Sequence, residues 1–572
     1  MNKLYRFFKG YRKEMVLAPV LKFFETLTDI IIPLLIANMI DIGVKNHDLN
    51  YIATWGAVVI ALNIVGIISA VLCAKLASRA CTGVSYSIRK SLYAHINTLS
   101  HAELDKFGNA TLNNRMTHDV ARFETALGMF LRLVMRAPFL IIGSIIMTMI
   151  IDIKLSLLFL VVTPLVLIVI VYILWRTEPL YDKSQKDLDK VSQITRESLM
   201  GARVIRAFNK QDYEEKRFNN SAKKLRKSAV KVVSVSSLLN PISITIINFA
   251  IVAVLWFGGI QVNEGSLTQG QIVAFINYLI QISASLVALA NLIIAFIKSI
   301  NCSHRINEVF DTKPSVVETN HEHINIIENP ETPKIEFKNV SLAYSSGAKN
   351  VVKNLSFKAY AGQTIGIIGG TGSGKSSVIN LIPRFYDATS GKVLVDGVNV
   401  KDYPFEQLRG EIGIVPQKAV LFKGTIRENL SWRKPDATTE EILKALRISQ
   451  SMEFVEDLQD SIDYKVQAGG KNLSGGQRQR LTIARAIVGE PQILILDDSA
   501  SALDFATDAN LRRAIKEEIN ATVILVSQRA NTIKNANLII VLDNGNVVGI
   551  GTHKELMEDC DVYKEIYQSQ TK

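Results

Sequence analysis

A chain of 572 residues is longer than one hydrophobic core organises, so at least two domains are expected. Its net charge of +12 would suit nucleic acid, but the basic residues form no single patch, and a mean hydropathy of +0.19 comes from an apolar first half. That pattern excludes a nucleic-acid partner and favours a membrane. Cys73, Cys81, Cys302 and Cys560 show neither metal nor disulfide spacing, so nothing requires an oxidising compartment.

Residues 1–14 mix Arg6, Lys9, Arg12 and Lys13 with Tyr5, Phe7 and Phe8, the pattern of an interfacial helix leading into a retained span. Six apolar segments then suit helices crossing about 30 Å of hydrocarbon. They lie near Val16 to Ile40, Ile52 to Leu76, Leu133 to Ile151, Leu155 to Trp175, Leu238 to Ile260 and Ile272 to Ile297. The third and fourth are separated only by Asp152, Ile153 and Lys154, which forces a tight reversal. The links after the second and fourth spans each exceed fifty polar, helix-forming residues and must project beyond the bilayer. Fifteen Lys/Arg lie between Arg176 and Lys231, against one in Asp41 to Tyr51 and none in Gln261 to Gln271. By the positive-inside rule the long links and both termini are cytoplasmic. Lys22, Glu25 and Asp29 share one face of the first span, and Asn277, Tyr278, Gln281, Ser283, Ser285 and Asn291 mark the last. Charges at such depth line a transport path or pair with each other, and the trio leaves both open, whereas the stripe on the last span leans toward cavity lining. Residues 15–310 thus form a six-helix membrane domain, and the polar, proline-punctuated stretch 311–333 a linker.

From residue 334 to 572 the pattern is that of a soluble α/β domain. Ile335 to Val340 alternates as a strand, and Tyr344 follows it, 25 residues before a glycine-rich loop, well placed to stack on a base. Gly369 to Ser377, GGTGSGKSS, satisfies G-x-x-x-x-G-K-S/T between a buried strand (Thr364 to Ile368) and a helix expected to open over Ser377 to Ile382. Backbone N–H groups of Gly369, Gly370, Thr371, Gly372, Ser373 and Gly374 cradle phosphate, Lys375 adds charge near the terminal phosphates, and Ser376 suits Mg2+. A nucleoside triphosphate is the implied ligand. Ile412 to Val415 is a buried strand whose sequel, Gln417, reaches Mg2+ or the attacking water. In LSGGQ, Ser474 caps a helix while Gly475 and Gly476 bare N–H groups beside Gln477. A second phosphate grip in one domain serves another copy's nucleotide. Ile493 to Leu496 runs into Asp497, placed for Mg2+, and Asp498; Asp504 follows in SALD, and Thr522 to Val526 ends in Ser527, Gln528 and Arg529.

Tyr344, GGTGSGKS, Gln417, LSGGQ, ILILDD, SALD and Gln528, in that order, resemble the aromatic loop, Walker A, Q-loop, signature, Walker B, D-loop and switch loop of the ATP-binding cassette exporters. The likeness covers nearly the whole chain, and the first half resembles that family's six-helix membrane domain. It implies a type I exporter bundle followed by an α/β P-loop cassette with a helical subdomain, and two cassettes meeting head to tail around ATP. It also implies coupling helices in the cytoplasmic links, for which Phe107 to Thr117 and Leu199 to Gln211 are the candidates.

Three positions depart from the family pattern. Asp498 stands where the family usually has a water-polarising glutamate, and one methylene less draws the carboxylate back by roughly 1.5 Å, where about 1 Å matters. Gln528 replaces the switch histidine and carries neither proton nor charge, and Gln467-Ala468 stand where Gly-Glu is common before the signature. The expectation is an ATP-driven exporter half for an amphipathic or hydrophobic solute, in a cell membrane. Its own site, with Lys375, Asp498 and Gln528 at the chemistry, hydrolyses slowly, and its signature completes the site of a different partner subunit. A homodimer with two slow sites, an importer of a metal chelate on this fold, and a cassette-gated channel or receptor are the alternatives. The subgroup of this family that trims peptides before export is not expected.

Overall fold

The computed structural model describes residues 4–319, 322–326, 329–345, 347–499 and 503–571. It divides into two compact units, Met1–Asn97 with Asn109–Thr312, and Thr98–Gly108 with Lys313–Lys572.

Among the described residues the first unit holds six helices long and apolar enough to cross a membrane: Leu4–Val44, Leu49–Thr98, Asn109–Ile151, Ile153–Met200, Gln211–Asn263 and Gln269–Asp311. At 41 to 53 residues, and about 1.5 Å of rise each, they far exceed the hydrocarbon thickness, so the long polar links are continuations of the spans. One apolar stripe at helical spacing builds the core: Phe159, Val162, Val166 and Ile170 of the fourth span are buried, in one cluster with Val254, Phe275 and Leu279. Leu160, Val161, Ile168 and Val171, on the other face, are exposed, as lipid-facing residues are. The reversal between the third and fourth spans is made by extended Asp152, whose carboxylate accepts from Leu155 N at 2.7 Å and caps the fourth helix.

The first and last spans are fastened along their length. Asp41, in a π-helical turn (Met39–Val44), accepts from Thr268 Oγ1 at 2.5 Å and Gly270 N at 2.8 Å. A Cβ on Gly270 would lie 2.2 Å from Ala37 O, so only glycine permits this approach. Tyr278, fully buried, donates to Ile30 O at 2.8 Å, and Gln281 Nε2 donates to Asp29 O at 3.0 Å. Asn277 and Ser285 instead turn back to carbonyls of their own helix, Val273 O and Gln281 O. Much of the last span's polar stripe is thus spent on helix packing rather than on lining a cavity.

The charged trio gains a fourth member. Lys22 Nζ meets both Glu25 oxygens at 2.6 and 2.7 Å, and Arg136, at the start of the helix Arg136–Ile151, reaches Asp29 at 3.2 Å and Glu25 at 3.6 Å. Two cations and two anions form a neutral group, the arrangement that makes charge at membrane depth tolerable.

The second unit is built on a six-stranded sheet in the spatial order Asn546–Gly551, Leu538–Asp543, Thr364–Gly369, Thr522–Val526, Ile493–Asp497, Ile412–Val415. Five strands are parallel, and the first pairs antiparallel at the edge. Parallel strands covered on both faces read as unbroken apolar runs. In ILILD, Leu494 and Leu496 enter one core while Ile493 and Ile495 enter the other. The second core is closed by an antiparallel sheet, Val352–Ala359, Ile335–Leu342, Ser390–Val395 and Val398–Asn399. The sheet brings the ends of the strands at Gly369, Asp497 and Val526 side by side, and the functional loops follow directly from them.

Candidate functional site

Beyond Gly369 the chain leaves its strand and turns into a short helix, Lys375–Ile379, that opens two residues earlier than the sequence indicates. Gly374 has φ 99°, and a Cβ there would sit 2.7 Å from Val351 O, so the close turn requires glycine. Lys375 is buried and donates from Nζ to Gly369 O at 2.9 Å and Gly370 O at 2.7 Å, which folds its ammonium back across the mouth of the loop. Burial pushes the Lys375 pKa down, and the nearby carboxylates of Asp498 and Asp497 oppose that shift. Ser373 Oγ, also buried, has no hydrogen-bond partner among the described residues. An orphaned hydroxyl in a glycine-rich loop fits an anionic ligand that accepts its hydrogen bond.

Thr371, Gly372, Gly374, Lys375, Ser376 and Ser377 line a cavity of about 210 Å³ together with Gln417, Asp497, Asp498 and Gln528. Ser376 Oγ donates to Asp497 Oδ2 at 3.0 Å. A hydroxyl, a carboxylate and the Gln417 amide in one corner are hard oxygen donors, and they fit Mg2+. Asp498 lies one residue past its strand with φ 48°, a left-handed turn that aspartate tolerates, and its N–H donates to Val526 O at 2.9 Å. This turn swings its carboxylate toward Gln417, whose hydrogen bond favours the ionised form. Burial outweighs that bond and raises the Asp498 pKa; burial likewise raises that of Asp497.

Tyr344 meets the loop from another side: its OH pairs with Ser377 Oγ at 2.7 Å, while its exposed ring packs edge-on against Tyr386 at 4.9 Å and 79°. Tyr386 OH donates to Asp105 Oδ2 at 2.7 Å, and His101 stacks on Phe385 at 4.3 Å. The helix His101–Phe107 from the first long link is therefore part of the cassette unit. Of the two candidate coupling segments, Phe107 to Thr117 lies mostly beyond this helix, in the other unit, and Leu199 to Gln211 contains a short helix, Ala202–Ala207. Leu199, Met200, Val204 and Phe208 around that helix are exposed.

Ser474 caps the helix Gly475–Ile487 through a reciprocal pair, Ser474 N to Gln477 Oε1 at 2.8 Å and Gln477 N to Ser474 Oγ at 3.2 Å. Ser474 and Gly475 are exposed, and none of Ser474, Gly475, Gly476 and Gln477 lines the cavity. Asp504 caps the helix Phe505–Glu518 by accepting from Thr507 N at 2.9 Å; Ser501 and Ala502 of the SALD stretch lie outside the described residues.

Sequence reasoning passed over Arg136, Tyr386 and the last helix, Asp561–Thr571. Arg136 was visible as a lone cation among apolar residues of the third span; Tyr386 and the last helix matter only through contacts distant in sequence.

Models of two families match the chain, the ABC transporter transmembrane region over residues 15–286 and ABC transporter over 352–501. An uncharacterized ABC transporter ATP-binding protein of Bacillus subtilis, YfiB, is 35% identical over 570 residues, covering 100% of this chain and 98% of the relative. An ATP-dependent lipid A-core flippase of Desulfotalea psychrophila is 32% identical over 483 residues, covering 84% of each chain. Among solved structures, a bacterial Atm1-family ABC exporter with ATP bound shares the fold with TM-score 0.82, at 23% identity and over 98% of this chain and 99% of the other.

Proposed function

This chain belongs to the ABC transporters, with membrane region and ATPase cassette in one polypeptide, and we propose that it is one half of a heterodimeric exporter for an amphipathic or hydrophobic solute. ABC transporters couple ATP hydrolysis to movement across a membrane, and those of exporter fold work as dimers. The relative named for lipid A-core supports a lipid-like solute, and the concentration of Lys/Arg in the long links supports cytoplasmic termini.

The observation that carries the heterodimer is the contrast within one cavity. The phosphate end is complete: a glycine loop, which also carries the orphan Ser373 hydroxyl, buried Lys375, and the Ser376–Asp497 pair. Mg2+, when bound there by Ser376, Gln417 and Asp497, supplies charge neutralisation at the phosphates. At the chemical end, Asp498 is short, its pKa is raised by burial, and Gln417 already bonds it. Gln528 offers the terminal phosphate an amide but moves no proton. These residues bind and orient ATP while leaving the attacking water poorly polarised. The exposed start of the signature helix, Ser474 and Gly475, lies outside the lining of this cavity and is free to complete a partner's site, and the exposed apolar turn around Val204 supplies a surface for that partner.

The test is steady-state ATPase activity of the purified chain in lipid, alone and with Asp498→Glu plus Gln528→His. The expected result is Mg2+-ATP binding with turnover near background, raised at least tenfold by the double change. Brisk turnover by the unaltered chain would overturn the proposal in favour of a homodimer using Asp498.

A further inference from the structure

The switch-loop backbone is held by a side chain from the last helix. Gln570, in the final turn of Asp561–Thr571, donates from Nε2 to Gln528 O at 2.7 Å and accepts at Oε1 from Ala530 N at 2.8 Å. The two bonds bracket Arg529, so one amide does for this loop what a neighbouring strand does for a sheet edge. Its scaffold is firm: Tyr563 of the same helix is fully buried, and Ile566 and Tyr567 pack on the core beneath the sheet. From the other side Arg512, ion-paired to Asp508 at 2.7 Å, donates to Thr532 O at 2.9 Å. The segment from Gln528 to Thr532 is thus suspended between two helices, with the Gln528 side chain on the cavity wall. Gln570 itself does not line the cavity, so whatever it contributes to the nucleotide passes through Gln528.

We propose that Gln570 is a positioning residue of the nucleotide site, holding the switch backbone so that the Gln528 amide meets the terminal phosphate of a nucleoside triphosphate. Gln528 lies past the end of its strand, where fixing the backbone costs conformational entropy. With Gln570 in place that ordering is complete before the nucleotide arrives; without it, binding bears the cost. A diphosphate, which lacks the group that Gln528 meets, is indifferent to it. The residue therefore sharpens discrimination between tri- and diphosphate.

The experiment measures binding of AMP-PNP and of ADP, each with Mg2+, to the full chain in lipid nanodiscs. Gln570→Ala removes both bonds; Gln570→Glu keeps the acceptor for Ala530 N–H and removes the donor to Gln528 O. Both variants are expected to bind AMP-PNP about tenfold more weakly, with ADP affinity and Tm unchanged. Ser569→Ala, one residue away, changes neither. In a Gln528→Ala background Gln570→Ala adds no further loss. Equal loss for both nucleotides, no loss for either, or full additivity with Gln528→Ala would overturn the proposal. Because binding is read rather than turnover, fast hydrolysis by the unaltered chain would sink the heterodimer and leave this result standing.

Discussion

In the membrane unit, Lys22 and Glu25 close on each other at 2.6 Å and Arg136 completes the group by reaching Asp29 at 3.2 Å, so every charge there has an opposite neighbour. In the cassette, the glycine loop beyond Gly369 keeps an orphan hydroxyl on Ser373, and the cavity it borders holds two carboxyl groups whose pKa values burial has raised. Both sites bury charged groups at a cost, and the membrane group offsets it by pairing cation with anion inside the fold. Neutral, self-paired charge is how a helix bundle tolerates ions; an orphan hydroxyl in a glycine loop, beside carboxyl groups whose charge burial disfavours, is how a site holds affinity in reserve for a ligand.

The largest effect that would test this contrast is on the membrane side. Glu25→Ala leaves the largely covered Lys22 ammonium without its partner and is expected to lower stability by about 3 kcal/mol, read as Tm in detergent or lipid. Lys22→Met with Glu25→Leu, which removes both charges, is expected to recover most of that loss. If the double variant keeps its stability but loses transport, the group serves the solute as well as the fold. On the cassette side, Lys375→Ala should cut nucleotide affinity about a hundredfold by deleting a charge-assisted contact, with Tm little changed. An equal fall in stability would mean that the Gly369 and Gly370 carbonyls need the lysine as a structural pin.

A smaller effect is expected from pH. Asp497 ionises above the ordinary aspartate value of about 4, and Mg2+ requires the ionised form, so Mg2+-dependent ATP affinity should rise with pH through that raised value and then level off. In the free protein the sign for stability is opposite: a raised carboxyl pKa favours the fold at low pH, and that contribution fades as pH rises through the raised value. An Asp497→Asn variant should lose the pH dependence of Mg2+ binding; its persistence would assign the titration to Asp498. Smallest of all, Tyr278→Phe deletes the bond to Ile30 O between the first and last spans and is expected to cost about 1 kcal/mol in Tm measurements.

Local pattern was enough for the six apolar helices, the reversal at Asp152, the glycine loop, the signature cap at Ser474 and the two strand ends at Asp497 and Val526. Each depends on residues a few positions apart, where spacing, capping chemistry and backbone freedom act directly. Asp498 and Gln528 stood out in sequence by residue type, but their shared cavity needed parallel strands to bring distant segments together.

What only tertiary structure decided lies in contacts between residues far apart in the chain. Sequence spacing placed Lys22, Glu25 and Asp29 on one face, whereas the fold alone chose Arg136 to neutralise them. It alone set Tyr386 between Asp105 and Tyr344, and Gln570 across the switch loop. A short-range motif carries its geometry in its own covalent chain; a pairing across 40 to 281 residues has no local signature, because each partner alone is an ordinary polar residue that folding happens to leave within reach of the other.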